Sequence, residues 1–373
     1  MWRRGFIILL LSFPLWADGI IDQQLPDFYQ QLKQKQTFSD AWESGKFQTV
    51  QKWRQHGRNL LRDSLLWPDE PVDFSPRLIR TEARDGYKAE IWSVQLTLQS
   101  RVNLMLLTPD LPKPLPAVLL LHDHGARFDI GKEKWIKPFK NDQKLASAQQ
   151  WADKYFSGNF VGDELARQGY VVLAADTFGW SERGPIAYDA QQAMASNLYL
   201  LGRSLAGMAA YEDLRQVEFL KQLPQVDKNR LAVIGFSMGA FKAWQLAALS
   251  DDIKATVSVA WMNSYQYLMQ PGNNLLKGQS SFYMLHPGLS AKLDIPDVAS
   301  LAAPSAMLLI NGAKDKLMPR EGVEYAYARM AKVWQAYGAS EKFSGKIWPQ
   351  YGHEFSAEQQ QQAFNWLAAQ LAK

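Results

Sequence analysis

Beyond residue 77 the chain alternates short apolar runs with longer stretches in which apolar residues recur every three or four positions. Runs at 78–84, 89–98 and 102–107 follow one another with turns at Asp85-Gly86 and near Ser100, so they read as a meander of antiparallel strands. Runs at 117–121, 171–175, 231–236, 253–261 and 306–310 are apolar enough for strands covered on both faces, and 343–348 reads as a last strand. Helical spacing fills the gaps at 151–168, 191–223, 240–249, 321–337 and 356–371. Strand and helix in alternation predict a mostly parallel, doubly wound α/β sheet with helices on both faces and antiparallel strands at its N-terminal edge. Two segments interrupt the alternation. One is a polar loop at 126–150; the other is an excursion at 263–303 rich in aromatic residues, glycine and proline.

The first 68 residues have a different texture. Residues 1–17 read as an export signal, with Arg3 and Arg4 ahead of an apolar stretch from Phe6 to Leu15 and the small Ala17 at a cleavage position. That stretch is too short to span a bilayer. The competing reading is an uncleaved anchor. An exported product is periplasmic or secreted, from a bacterium. Residues 18–68 are polar and glutamine-rich, but Phe28, Leu32, Trp42, Val50, Trp53, Leu60 and Leu61 fall at helical intervals before Pro68. They predict a helical extension packed on the domain at 69–373, or else a partner-binding arm.

Composition narrows the chemistry. With no cysteine, disulfides, thiolate metal sites and cysteine nucleophiles are excluded. The net charge of +4 falls to +2 without Arg3 and Arg4 (4 − 2 = 2), and no basic run stands out, so nucleic acid is not an expected partner. Apart from the export segment, nothing reads as membrane-bound. The histidines are His56, His122, His124, His286 and His353, and any general base of histidine type is among them.

One stretch carries a nucleophile. Gly235-Phe236-Ser237-Met238-Gly239 lies between a buried strand and a helix, and its glycines permit the sharp turn that lifts a serine hydroxyl clear of a sheet. The alternative is an ordinary strand-to-helix turn. Asp315 and His353 follow, each just after a predicted strand. Strand carboxyl ends share one rim of a doubly wound sheet, so residues 78 (315 − 237) and 38 (353 − 315) positions apart can converge there. His353 would then take the proton from Ser237, and Asp315 would hold the imidazole. Singly, Asp315 also reads as a helix cap and His353 as a loop residue; His286 is the rival base. The backbone N–H of Met238 and, from the loop after 117–121, that of His124 are the candidate oxyanion donors. His122, Asp123 and the His124 side chain read as loop-holding groups. No metal or cofactor is called for, because spacing of two between His122 and His124 is a weak ligand pattern. Trp180 and Trp261, near strand ends, are either flat platforms for a sugar or aryl group or packing residues.

These residues resemble those of the α/β-hydrolase superfamily over most of 77–373. Ser237 and its neighbours resemble the nucleophile elbow, Gly312-Ala313-Lys314-Asp315-Lys316-Leu317-Met318-Pro319 the acid loop, and Tyr351-Gly352-His353 the histidine loop. More narrowly the chain is similar to bacterial dienelactone-hydrolase-like and acetyl-xylan-esterase-like proteins. That likeness rests on Leu121-His122-Asp123-His124-Gly125, Gly131-Lys132-Glu133-Lys134, and Pro287-Gly288-Leu289 with Asp294, Pro296 and Asp297. It departs from them in two places. Dienelactone hydrolase has a cysteine where Ser237 stands, and Ala126-Arg127 follows Gly125 where a second glycine is frequent. The resemblance implies a serine carboxylic-ester hydrolase acting on a small-molecule or carbohydrate ester, with 263–303 as the pocket wall. A peptidase or amidase of the same fold, and a silent hydrolase-fold binding module, are the alternatives.

Overall fold

A computed structural model describes residues 27–372, apart from 69, 141, 274 and 276–279. The export signal expected at 1–17 lies outside the described residues, as does 18–26. Three strands come first: β1 (Arg77–Arg84), β2 (Tyr87–Gln95) and β3 (Arg101–Pro109). They are followed by β4 (Leu115–Leu121), β5 (Val171–Ala175), β6 (Val226–Phe236), β7 (Ile253–Val259), β8 (Ala306–Gly312) and β9 (Phe343–Trp348). Together they form a nine-stranded sheet in the order β1-β2-β3-β5-β4-β6-β7-β8-β9. β1, β2 and β3 pair antiparallel, and β3 is antiparallel to β5. From β5 to β9 every pairing is parallel.

The helices are α1 (Asp27–Gln34), α2 (Val50–Leu65), α3 (Leu145–Tyr155), α4 (Val161–Arg167), α5 (Tyr188–Leu200) and α6 (Leu205–Gln222). After them come α7 (Met238–Leu249), α8 (Tyr265–Leu268), α9 (Ile295–Ser300), α10 (Arg320–Ala336) and α11 (Ala357–Leu371). Side chains alternate across the sheet, as period two requires. In β4, Ala117, Leu119 and Leu121 enter one core and Val118 and Leu120 the other; in β6, Leu231 and Val233 part in the same way from Ala232 and Ile234. The first core takes α6, α7 and α10, and also Trp53, Leu61 and Leu65 of α2, each fully buried. The second takes α3, α4 and α11. Among the described residues, no helix is long and apolar enough to cross a membrane.

The structure departs from the sequence expectation at three points. The helix expected over 151–168 is two helices, parted at Ser157 and Gly158, both with positive φ (54° and 82°). The helix expected over 191–223 is likewise two, parted at Gly202 (φ 73°), and Ser204 caps the second by accepting from the Gly207 N–H at 2.9 Å. A change of backbone hand breaks a helix without breaking its apolar spacing. Third, the polar loop expected at 126–150 buries Lys132, Glu133 and Lys134 in a 3-10 turn beneath the rim.

Candidate active site

Ser237 stands between the end of β6 and the start of α7 with φ 54° and ψ −122°, a strained conformation outside the ordinary left-handed helix region. Its flanking glycines are required. A Cβ on Gly235 would lie 1.9 Å from the Gly239 carbonyl oxygen, and a Cβ on Gly239 would lie 1.8 Å from the Leu121 carbonyl oxygen. The turn is thus compressed between its own helix and the neighbouring strand β4. The Ser237 N–H donates to the Val259 carbonyl at 2.9 Å, which ties the turn to β7 as well.

Asp315 follows β8 and His353 follows β9, adjacent parallel strands whose loops are joined by backbone hydrogen bonds. The N–H groups of Ala313 and Lys314 donate to the Trp348 and Tyr351 carbonyls at 2.9 and 3.0 Å. Gly312 permits this, because a Cβ there would lie 2.2 Å from the Gly352 oxygen. His353 Nδ1 donates to Asp315 Oδ2 at 2.7 Å, which leaves Nε2 free to accept from Ser237 Oγ at 2.9 Å. The other carboxylate oxygen of Asp315 accepts from the Leu317 N–H at 2.9 Å, so the acid is held at both ends. Glu354 points away and accepts from the Gly352 N–H. The three residues expected to converge are therefore in one hydrogen-bonded chain.

A cleft opens over Ser237 in two arms. One, of about 430 Å³ with open solvent included, is walled by Trp261, Leu268, Met284 and Met318. The other, of about 640 Å³ on the same measure, is bordered by Trp151, Tyr155, Tyr188 and His353. Ser237 and His124 border both arms. Met238 is the first residue of α7, where a helix leaves its N–H groups without intrahelical acceptors, and it lines the first arm.

The model of the Abhydrolase family matches residues 15–361. The chain belongs to that family. A relative of this abhydrolase is "Putative hydrolase YtaP" of Bacillus subtilis (strain 168), 29% identical over 269 residues, which are 72% of this chain and 83% of the relative. Solved structures share its fold, and two of them serve for comparison. One is described as a "putative acetyl xylan esterase" from Bacteroides fragilis NCTC 9343 (TM-score 0.67, 20% identity, 88% of this chain and 83% of that one). The other is a glucuronoyl esterase from Solibacter usitatus (TM-score 0.62, 14% identity, 86% and 92%). The abhydrolase sheet described above is thus an α/β-hydrolase sheet.

The remaining candidates are placed unequally. Trp261 is on the wall of the first arm, edge-on to Phe241 at 5.1 Å between ring centres. Trp180 is not a platform for substrate. It is fully buried, and its Nε1 donates to the His124 carbonyl at 3.1 Å, so it supports the loop from behind. His286 is no base for Ser237 either. It is buried against Gln245 and Phe241, and burial lowers its pKa to about 3. His122 has both ring nitrogens occupied. Nδ1 donates to the Asp123 carbonyl at 2.8 Å and Nε2 accepts from the Thr177 N–H at 2.9 Å; burial, with Lys134 and Lys242 nearby, holds it neutral. The His124 ring donates to Gln191 Oε1 at 2.8 Å and stacks on Tyr188 at 5.3 Å, and its burial lowers the pKa to about 4.

Sequence reasoning missed the ions beneath the rim of this abhydrolase. Lys132 Nζ meets Asp176 at 2.6 Å, Lys134 Nζ meets Asp123 at 3.1 Å, and Lys242 Nζ reaches Thr177 Oγ1 at 2.8 Å and Asp213 at 3.2 Å. All six charged side chains are buried. Lysine inside a polar stretch normally reads as solvated surface. The available signal was the apolar company of Ile130, Trp135, Ile136 and Phe139, which surrounds two of these lysines and is itself fully buried.

Proposed function

We propose that the chain is a serine carboxylic-ester hydrolase working through an acyl-enzyme, with short-acyl esters as substrates and acetylated carbohydrate as the first class to try. The observation that carries the reading is the relay of 2.9 and 2.7 Å from Ser237 Oγ through His353 to Asp315. The fold it shares with esterases of carbohydrates adds support.

Ser237 Oγ attacks the ester carbonyl carbon as its proton passes to His353 Nε2, and Asp315 stabilises the imidazolium through Nδ1–H. The carbonyl oxygen becomes an oxyanion and is met by the N–H groups of Met238 and His124, each such donor contributing on the order of 10²–10³ in rate. The intermediate collapses with cleavage of the ester C–O bond, and the alcohol departs with the proton from His353. Water, deprotonated by His353, then attacks the acyl carbon and releases the acid and Ser237. Because His353 borders the second arm, the alcohol lies there, against Trp151 and Tyr188. The acyl group lies in the first arm, against Trp261 and Met284. The export-signal reading of Arg3, Arg4 and the apolar Phe6–Leu15 stretch supports a location outside the cytoplasm.

The test is hydrolysis of p-nitrophenyl acetate, butyrate and octanoate by the wild type and by Ser237→Ala. The expected result is turnover that falls with acyl length and disappears in the variant. Turnover surviving in Ser237→Ala refutes the nucleophile. No turnover and no labelling of Ser237 by a fluorophosphonate would favour a binding module instead.

A further inference from the structure

The stretch Gly131-Lys132-Glu133-Lys134 has no part in the relay, yet it is buried directly beneath the loop that follows β4. Lys134 is fully buried, and its Nζ makes three contacts: the Asp123 carbonyl oxygen at 3.0 Å, the His124 carbonyl oxygen at 3.1 Å and Asp123 Oδ2 at 3.1 Å. An ammonium group has three N–H donors, and all three are used. Its charge sits over the Trp151 ring at 4.6 Å. The turn carrying it is pinned in turn, since the Lys132 N–H and Nζ both donate to Asp176, at 2.8 and 2.6 Å.

Two consecutive carbonyls are thus drawn toward one buried cation. Each has a second donor on the same side. His122 Nδ1 donates to the Asp123 oxygen at 2.8 Å, and Trp180 Nε1 donates to the His124 oxygen at 3.1 Å. In a planar trans peptide the N–H points opposite to the C=O. The N–H groups of His124 and Gly125 are therefore turned away from Lys134. Both residues border the cleft beside Ser237. Gly125 makes the close approach possible, because a Cβ there would lie 2.2 Å from the Trp151 ring and 2.3 Å from Asp123 Oδ2.

We infer that Lys134 is a positioning residue for the oxyanion: by holding the Asp123 and His124 carbonyls from behind, it aims the His124 N–H into the cleft. The inference rests on the reading of Ser237 as the nucleophile. Lys134 itself touches no substrate. Its effect reaches the reaction through the orientation of a peptide plane and through a positive charge behind a hydrogen-bond donor, both set before the substrate arrives.

Two measurements test it, on the full chain. The first compares the wild type, Ser237→Ala and Lys134→Met on p-nitrophenyl acetate. Lys134→Met is expected to lower kcat by about 10- to 100-fold with KM within about twofold, the pattern of an interaction made in the transition state. An unchanged kcat, or a loss wholly in KM, overturns the assignment. The second needs no variant at position 134. Histidine is labelled with nitrogen-15, and Ser237 Oγ displaces fluoride from a fluorophosphonate, leaving a phosphonyl oxygen where the oxyanion would form. The His124 amide proton is expected to move downfield on labelling; an unmoved signal overturns the assignment even where Lys134→Met fails to fold. Failure of the serine reading is separate and visible, as activity retained in Ser237→Ala or as a fluorophosphonate that does not attach to Ser237.

Discussion

Gly239→Ala isolates the contact on which the turn carrying Ser237 depends. The added methyl would lie 1.8 Å from the Leu121 carbonyl oxygen, 2.6 Å from its carbonyl carbon and 2.9 Å from the His122 oxygen. Ordinary contact begins at 3.4 Å, so α7 and the end of β4 must separate by about 1.6 Å (3.4 − 1.8). Overfilling a core costs about 1–3 kcal/mol where side chains can yield. Here the obstacle is backbone in the middle of the sheet, so a loss of at least about 3 kcal/mol is expected. Gly338→Ala is the control. Gly338 has φ 68° but no atom within 4 Å of a built Cβ, so only the left-handed backbone penalty of about 1–2 kcal/mol applies. Urea melts followed by tryptophan fluorescence give both values. The displaced segment carries His122 to His124, and about 1 Å of misplacement at a reacting centre can cost 10²-fold. Folded Gly239→Ala is therefore expected to retain no more than about 1% of esterase activity, with Gly338→Ala close to wild type. Equal melts and equal activities for the two variants would refute the reasoning.

Two further outcomes follow from the site and its surroundings. Asp315→Asn leaves the size of the side chain at His353 Nδ1 unchanged but no longer fixes the tautomer; kcat for p-nitrophenyl acetate should fall by about 10⁴-fold with little change in KM, and a loss under tenfold would remove Asp315 from the relay. His286 has its pKa lowered by burial to about 3, against about 6.5 when exposed, so between those values the unfolded chain binds a proton that the folded one does not. Stability therefore falls as pH drops through this window, by up to about 2 kcal/mol from pH 6.5 to 5. Melts of the wild type and His286→Gln at both pH values should differ by about that amount, and parallel pH dependences would contradict the buried neutral imidazole. Asp213 and Asp294, whose pKa values burial raises to about 6, act in the opposite direction but equally in both proteins.

The parts legible in sequence were those written in local pattern. Strands such as 117–121 and 171–175 announce themselves by unbroken apolar runs, because a strand covered on both faces has no polar side to show. Ser237, Asp315 and His353 were legible because each follows a strand, and parallel strands bring their ends to one rim. What pattern could not show was the sign of φ at Ser157 and Gly202, which divides two helices whose apolar spacing runs on undisturbed. Nor does pattern reveal that a charged residue is buried. Lys132, Lys134 and Lys242 are inside because Asp176, Asp123 and Asp213 meet them there, and those partners are 44, 11 and 29 positions away in the chain. For Trp180, pattern left a platform and a packing residue as alternatives, and burial decides for packing. It lies near a strand end but faces the underside of the loop after β4, donating to the His124 carbonyl close to Lys134.

The pairing of the β8 and β9 loops has a consequence for the life of the chain before it is folded. Ser237 leaves the ribosome 116 residues ahead of His353, and β9, the strand that delivers the histidine, has β8 as its neighbour in the sheet order and no further strand beyond it among the described residues. Until β9 docks, Ser237 lacks its hydrogen bond to His353, the proton acceptor of the proposed mechanism. On the proposed chemistry, a growing or still unfolded chain would be harmless to the esters around it, and hydrolysis would begin only once β9 has joined the sheet.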